Sequence, residues 1–333
     1  MTAAEKKWDR LPLVVSNNAV ATVKINKHVF LFSFMGITGQ KTWKDVTNRA
    51  FSLDTSTGNW EELRPVPGPA GRLAASAIGV HDFVYLLGGY TVDGNGEETS
   101  VRSVEVFVPG RDIWYRGPDM PMGLDDSVVG AYRNRYIYTV SGWSQSDAVR
   151  NVMLYDTEKN TWQQATPIPG TPVFGHAGSI VDDTIIYVDG AYKNPAGPQP
   201  KYVPSDECWM GKIDRSDLTK ITWTKIPNHP GKARYRIAAG AGEHKIYFAG
   251  GTDNPYNFDG IGYDGQPSEP VATAFAWDAR TSKWETVKEG IADPTLDHRG
   301  LLVTSRGLVR VGGMAAGQKI VANVAITPTK EKK

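Results

Sequence analysis

FVYLLGGYTVDGNGEETSVRSVEVFVPGRDIW, residues 83–114, is the stretch from which the fold can be read. An apolar run ends in Gly88-Gly89, a polar loop follows, a second alternating run, VEVFV, ends in the turn Pro109 to Asp112, and Trp114 opens the next run. Short apolar runs broken by Gly, Pro, Asn and Asp are antiparallel strands joined by tight turns.

The same grammar recurs along the chain. Trp8, Trp60, Trp114, Trp162, Trp223 and Trp284 are separated by 52, 54, 48, 61 and 61 residues. In step with them, Gly36, Gly88-Gly89, Gly142, Gly190, Gly250-Gly251 and Gly312-Gly313 each close an apolar run. A third series, AFSLDTSTGNW, VEVFVPGRDIW, MLYDTEKNTW, MGKIDRSDLTKITW and AFAWDARTSKW, places hairpin-turn residues just before the Trp. A period near fifty residues with four strands per unit is that of a propeller blade.

Over residues 6–328 this grammar resembles the kelch repeat, which implies an all-β, six-bladed kelch β-propeller in one domain. The expected blades are 14–66, 72–121, 126–169, 176–227, 236–290 and 299–328, with 329–333 a disordered tail. Trp8 heads WDRLPL before any complete unit, while the last unit has three strands and no Trp after it. The segment 6–13 is therefore expected to be the outer strand of the last blade, closing the ring and removing sheet edges.

Thirty-seven Lys and Arg against 36 Asp and Glu leave a net charge of +1, which offers no field for nucleic acid or an anionic membrane. No apolar run is long enough to span a bilayer, and MTAAEKKW lacks the apolar centre of a signal peptide. The expectation is a soluble monomer, cytoplasmic as written and periplasmic or secreted if a signal was removed. The lone Cys208 excludes an intramolecular disulfide and reads as a small buried strand residue. No phosphate loop, nucleophile elbow or HExxH motif is present, and no cofactor is expected.

In a propeller the strands are scaffold, and chemistry lies in loops at one end of the channel. Counting back from the second Gly aligns the returning loops: seventeen residues before Gly89, Gly142 and Gly251 stand Arg72, Asp125 and Arg234. Fourteen before Gly190 and Gly313 stand His176 and Arg299. Asp126, Arg236 and His298 lie beside them, so a polar, locally cationic mouth is expected, suited to a carboxylate or phosphate. The opposing reading pins each Arg to a neighbouring loop and buries His176 as a hydrogen-bonded imidazole.

The loops after the second strands are long and aromatic, with Trp43, Trp143, Tyr192, Tyr202, Tyr256, Phe258 and Tyr263 among Asp, Asn and Gln. Such platforms suit the apolar face and hydroxyls of a sugar, unless the loops fold on themselves with the rings inward. Glu289, Asp293 and Asp297, spaced by four, resemble the E-x3-D-x3-H iron motif of plant nitrile-specifier kelch proteins with Asp where that motif has His; a solvated acidic loop is the alternative.

The opening strand ending in LP and a first blade without a double Gly resemble the bacterial N-acetylneuraminate mutarotase-type kelch proteins. That resemblance implies acid/base ring opening of a sugar by a carboxylate and an arginine. Those proteins carry Gly-Glu after the fourth blade's second strand, whereas this chain reads Gly190-Ala191-Tyr192-Lys193. Asp125, Asp126, His176 and Asp189 are the remaining candidates for a catalytic role. The sequence thus leaves two readings: a sugar or sugar-acid binder with isomerase chemistry, and a protein-interaction propeller without catalysis.

Overall fold

The computed structural model describes residues 7–68 and 70–329. Five of its sheets have four antiparallel strands in sequence order, and a sixth has three. Blade 1 runs Ala19–Ile25, His28–Ile37, Val46–Asp54 and Trp60–Leu63. Blade 2 runs Ser76–Val80, Phe83–Leu87, Val104–Val108 and Ile113–Arg116, and blade 3 Val128–Tyr132, Tyr136–Val140, Val152–Asp156 and Thr161–Ala165. Blade 4 runs Ala177–Val181, Thr184–Val188, Cys208–Ile213 and Ile221–Ile226, and blade 5 Ala238–Gly242, Lys245–Ala249, Thr273–Asp278 and Lys283–Glu289. Blade 6 consists of Leu302–Thr304, Gly307–Val311 and Val324–Thr327. This is a six-bladed β-propeller.

Small residues on the first strands let six sheets meet around the axis. A Cβ on Gly79 would lie 2.2 Å from the Thr22 carbonyl oxygen of blade 1, and one on Gly240 would lie 2.0 Å from that of Leu301 in blade 6. Between the sheets lie apolar cores such as Phe32, Phe34, Phe107 and Trp114, whose rings meet 4.8 to 6.0 Å apart, mostly edge to face.

The periodic tryptophans stitch each blade to the one before it. The indole N–H groups of Trp114, Trp162, Trp223 and Trp284 donate to the carbonyls of Arg64, Pro118, Thr166 and Pro227, each four residues after the preceding Trp. Trp60 donates to Asp9, which follows Trp8 by one residue rather than four. A second repeat agrees: the N–H groups of Val66, Met120 and Ile168, six residues after their Trp, bond to Asn48, Arg102 and Arg150, as Leu11 bonds to Ala322.

Trp8 is thus three residues out of step with the other five. Of the closing strand expected at 6–13, residue 6 lies outside the described residues, and 7–13 form no ladder with Val324–Thr327. Trp8 donates to the Thr55 carbonyl of blade 1, Asp9 N–H bonds to Gly58, and Arg10 reaches Asn323 of blade 6. The segment wedges between first and last blades through side chains and single backbone hydrogen bonds rather than a ladder. Of the expected tail, 330–333 lie outside the described residues.

Because Trp8 and Leu11 are both buried, removing residues 1–13 should open the core between blades 1 and 6. The melting temperature followed by circular dichroism should fall by more than about 5 °C. An unchanged melting temperature would show that the wedge adds no net stability.

Candidate functional site

Each blade returns to the axis through one residue with left-handed backbone: Asn17, Ala74, Asp126, Gly175, Arg236 and Asp297, at φ between 49° and 71°. Their backbones form a belt. Asp126 N–H donates to Ala74, Gly175 to Asp126, Arg236 to Gly175, His298 to Arg236 and Asn17 to Asp297, at 2.8 to 3.2 Å. The Asn17 side-chain oxygen completes the circle by accepting from Ala74 N–H.

The belt gives the true register of the returning loops. The belt residue is fifteen positions before the second Gly in blades 2, 4 and 5 and sixteen before it in blades 3 and 6. Fixed offsets of seventeen and fourteen therefore mix positions: Arg72 and Arg234 match Leu124, whereas Asp125 matches Leu73 and Tyr235.

Arg72 and Arg234 consequently leave the mouth. Arg72 is buried against Glu105 and Ser103 within its own blade, and Arg234 holds the carbonyl of Lys232 at 2.6 Å. Asp189 lies between blades 4 and 5, accepting from His229 Nε2 at 2.7 Å and Arg234 N–H at 2.8 Å. These groups pin loops.

Four others form a buried quartet on the axis. Arg236 donates to Asp126 at 2.7 Å and lies 3.2 Å from Asp297, while Arg299 lies 3.0 Å from Asp126 and 3.4 Å from Asp297. Burial opposes charge here, yet the two guanidiniums hold the Asp126 carboxyl below its usual range, and Asp126 keeps Arg236 firmly cationic. Below the quartet runs a central channel of about 250 Å³, lined by His176, His298 and Arg299. Burial pushes His176 down to about 4 and His298 to about 3, so both are neutral. His176 spends Nε2 on the Val140 carbonyl and His298 its own on Thr295.

Above the quartet, a separate cavity of about 140 Å³ opens among the loops. Its wall is aromatic: Trp143 meets Tyr202 at 5.6 Å and 87°, Phe174 meets Tyr202 at 5.1 Å, and Tyr263 meets Tyr202 at 4.8 Å. Its polar groups are Asp125, Glu98, Asn257, Lys201, the edge of the quartet at Asp126 and Arg236, and the Tyr90 hydroxyl, which is buried without a partner among the described residues. Asp125 Oδ2 is bonded to Ser100 Oγ at 2.6 Å. Burial, then the neighbouring Asp126 charge, push the Asp125 carboxyl well above the usual range.

The blade 5 loop after Ala249 arches over this cavity. The Asn257 carbonyl accepts from Arg236, its side chain donates to Glu98 of the opposite blade 2 at 2.8 Å, and Lys41 of blade 1 reaches the Asp259 carbonyl at 2.6 Å. Of the expected aromatic platforms, Trp143, Tyr202 and Tyr263 line the cavity. Tyr256 is fully buried beneath, with the Arg236 guanidinium 5.1 Å from its ring centre. Tyr192 packs on the blade 3–4 core, and Trp43 lies 43% exposed beside Gly94.

Glu289 ends an outer strand, the Asp293 carbonyl accepts from Arg310, and Asp297 belongs to the quartet; no group of three or more metal-ligating residues occurs among those described. Tyr90, Glu98, Phe174 and Asn257 line the cavity and are positions that sequence reading misses. The Tyr90–Val92 and Glu98–Ser100 strands, readable as a hairpin after Gly89, are the signal that could have placed two of them.

The Kelch motif family matches residues 71–121 of this chain. Kelch-like protein 15 of Gallus gallus is 27% identical over 141 residues, 42% of this chain and 28% of the relative. Kelch-like protein 36 of Mus musculus is 25% identical over 151 residues, 45% of this chain and 24% of the relative. The chain thus spans about a quarter of the length of the curated relatives it matches. Among solved structures, that of YjhT superposes with a TM-score of 0.73 at 17% identity, covering 95% of both chains. That likeness is one of fold.

The Asp125 carboxyl has a raised folded-state pKa, so its contribution to stability is present at low pH and is lost as pH rises through that value. Asp125→Asn removes the cost of ionisation. Its stability relative to wild type, from urea unfolding, should grow between about pH 5 and pH 8. A difference that shrinks with pH would contradict the assignment.

Proposed function

We propose that this propeller holds a small carbohydrate-class ligand, a sugar or sugar acid, in the loop-face cavity. The observation that carries the reading is the meeting, in one cavity, of an aromatic wall with the Tyr90 hydroxyl, unpartnered among the described residues, and the Asp125 carboxyl, bonded only to Ser100. The C–H face of a sugar ring packs on aromatic rings while its hydroxyls need donors and acceptors at the rim. An isomerase of mutarotase type is the catalytic form of this reading, with Asp125 as the proton-transfer group, since burial and the Asp126 charge favour its protonated form, the form a general acid needs.

A second reading, docking of a protein partner on the loop face, is favoured by the exposed Trp43 ring. Trp43→Ala would remove that binding without altering the response to sugars.

A thermal-shift screen of monosaccharides and sugar acids should raise the melting temperature with at least one of them, and Trp143→Ala should weaken that ligand by roughly tenfold or more. A panel without any shift would sink the carbohydrate reading.

Ala191, fully buried and bridged to Phe174, occupies the place where the mutarotase-type proteins carry glutamate. Anomeric exchange of N-acetylneuraminate, followed by NMR, should therefore run at its uncatalysed rate. Acceleration that disappears in Asp125→Asn would show that Asp125 has taken over the role.

A further inference from the structure

Two carboxyl groups of the loop-face cavity face no uncommitted guanidinium: Arg236, which also lines it, is paired with Asp126 and Asp297 and only partly offsets their charge. Asp126 is satisfied by Arg236 and Arg299. Glu98 receives only the neutral Asn257 amide, at 2.8 Å, and Asp125 only the Ser100 hydroxyl, through Oδ2. Neither makes an ion pair among the described residues. The two feel each other, since the Glu98 charge adds to burial and Asp126 in raising Asp125. Lys201 sits at the exposed rim with Nζ 5.1 Å from the centre of the Tyr202 ring.

A second observation points to a missing ligand group. The Tyr90 hydroxyl, wholly buried, lines the same cavity and has no hydrogen-bond partner. Leaving a buried hydroxyl unpaired is unfavourable, and a bound molecule would relieve it.

We propose that the ligand carries a primary ammonium group, as in an amino sugar, seated against the Glu98 carboxylate with one N–H donated to Asp125 Oδ1. The assignment rests on the carbohydrate reading above and narrows it. An ammonium group supplies a positive charge free to face Glu98 and three N–H donors, and the electron-rich faces of the surrounding rings attract it. The sugar hydroxyls then meet Tyr90. A neutral sugar leaves Glu98 uncompensated, and an acidic sugar adds a further negative charge beside Glu98 and Asp125.

Isothermal titration of the full chain at about pH 7 tests this with four probes: D-glucosamine, N-acetyl-D-glucosamine, D-glucose and D-glucuronate. Glucosamine should bind at least about tenfold tighter than the other three. In Glu98→Gln, checked for an unchanged melting profile, the preference should collapse to within about twofold. Equal binding of glucosamine and its N-acetyl derivative, or tighter binding of glucuronate, overturns the ammonium assignment and leaves the carbohydrate reading standing. Absence of binding by all four overturns both. The wild-type ranking decides the matter even if the variant misfolds.

Discussion

Six sheets sharing one axis leave little room for the chain that returns to it from each outer strand, and the belt of left-handed residues is how that crowding is resolved. A backbone turned to positive φ presents its N–H to one neighbouring blade and its carbonyl to the other, so polar groups that would be stranded at the axis are paired blade to blade. Non-glycine residues adopt this conformation at a cost of roughly 1 kcal/mol each, less for Asn and Asp. Three of the six are Asn17, Asp126 and Asp297. Ala74 and Arg236 are the expensive exceptions, and Arg236 is held there by the buried acids on either side.

The belt also decides what the site can be. By fixing the backbone of Asp126, Arg236 and Asp297 it places two acids against two guanidiniums on the axis, a neutral set whose removal one member at a time would leave a buried charge uncompensated. The quartet divides the central channel from the loop-face cavity. Side chains one position earlier, Asp125 and Phe174, are bridged to the loops above and belong to the upper cavity. A single residue of register therefore separates a structural acid, Asp126, from a candidate chemical one, Asp125.

That one-residue distinction marks the boundary of what the sequence discloses. The blades are legible because each repeats the same strand, glycine and tryptophan order, and turn residues and apolar alternation are local properties. The returning loops are not, because blades 3 and 6 hold one more residue between the belt and the second Gly than blades 2, 4 and 5 do. Trp8 misleads for a related reason. A tryptophan followed by a strand-like phrase is the same local signal wherever it stands, and only hydrogen bonds such as Leu11 to Ala322 reveal that it is three residues late.

The cavity lining was hidden for a different reason, since it is assembled from opposite sides of the ring. Glu98 and Tyr90 come from the hairpin of blade 2, Trp143 from blade 3, Phe174 and Tyr202 from blade 4 and its approach, and Asn257 and Tyr263 from blade 5. Nothing in the local sequence couples Glu98 to Asn257, which are 159 residues apart and share a hydrogen bond across the mouth. Aromatic loops alone predict a sugar platform and self-packing equally well, and the structure contains both: Tyr256 is buried below the cavity, whereas Tyr202 and Tyr263 line it. The difference follows from depth below the arch of the blade 5 loop. Rings at the level of the belt serve Arg236 as a packing surface, and rings one layer higher are left with a face turned to the cavity.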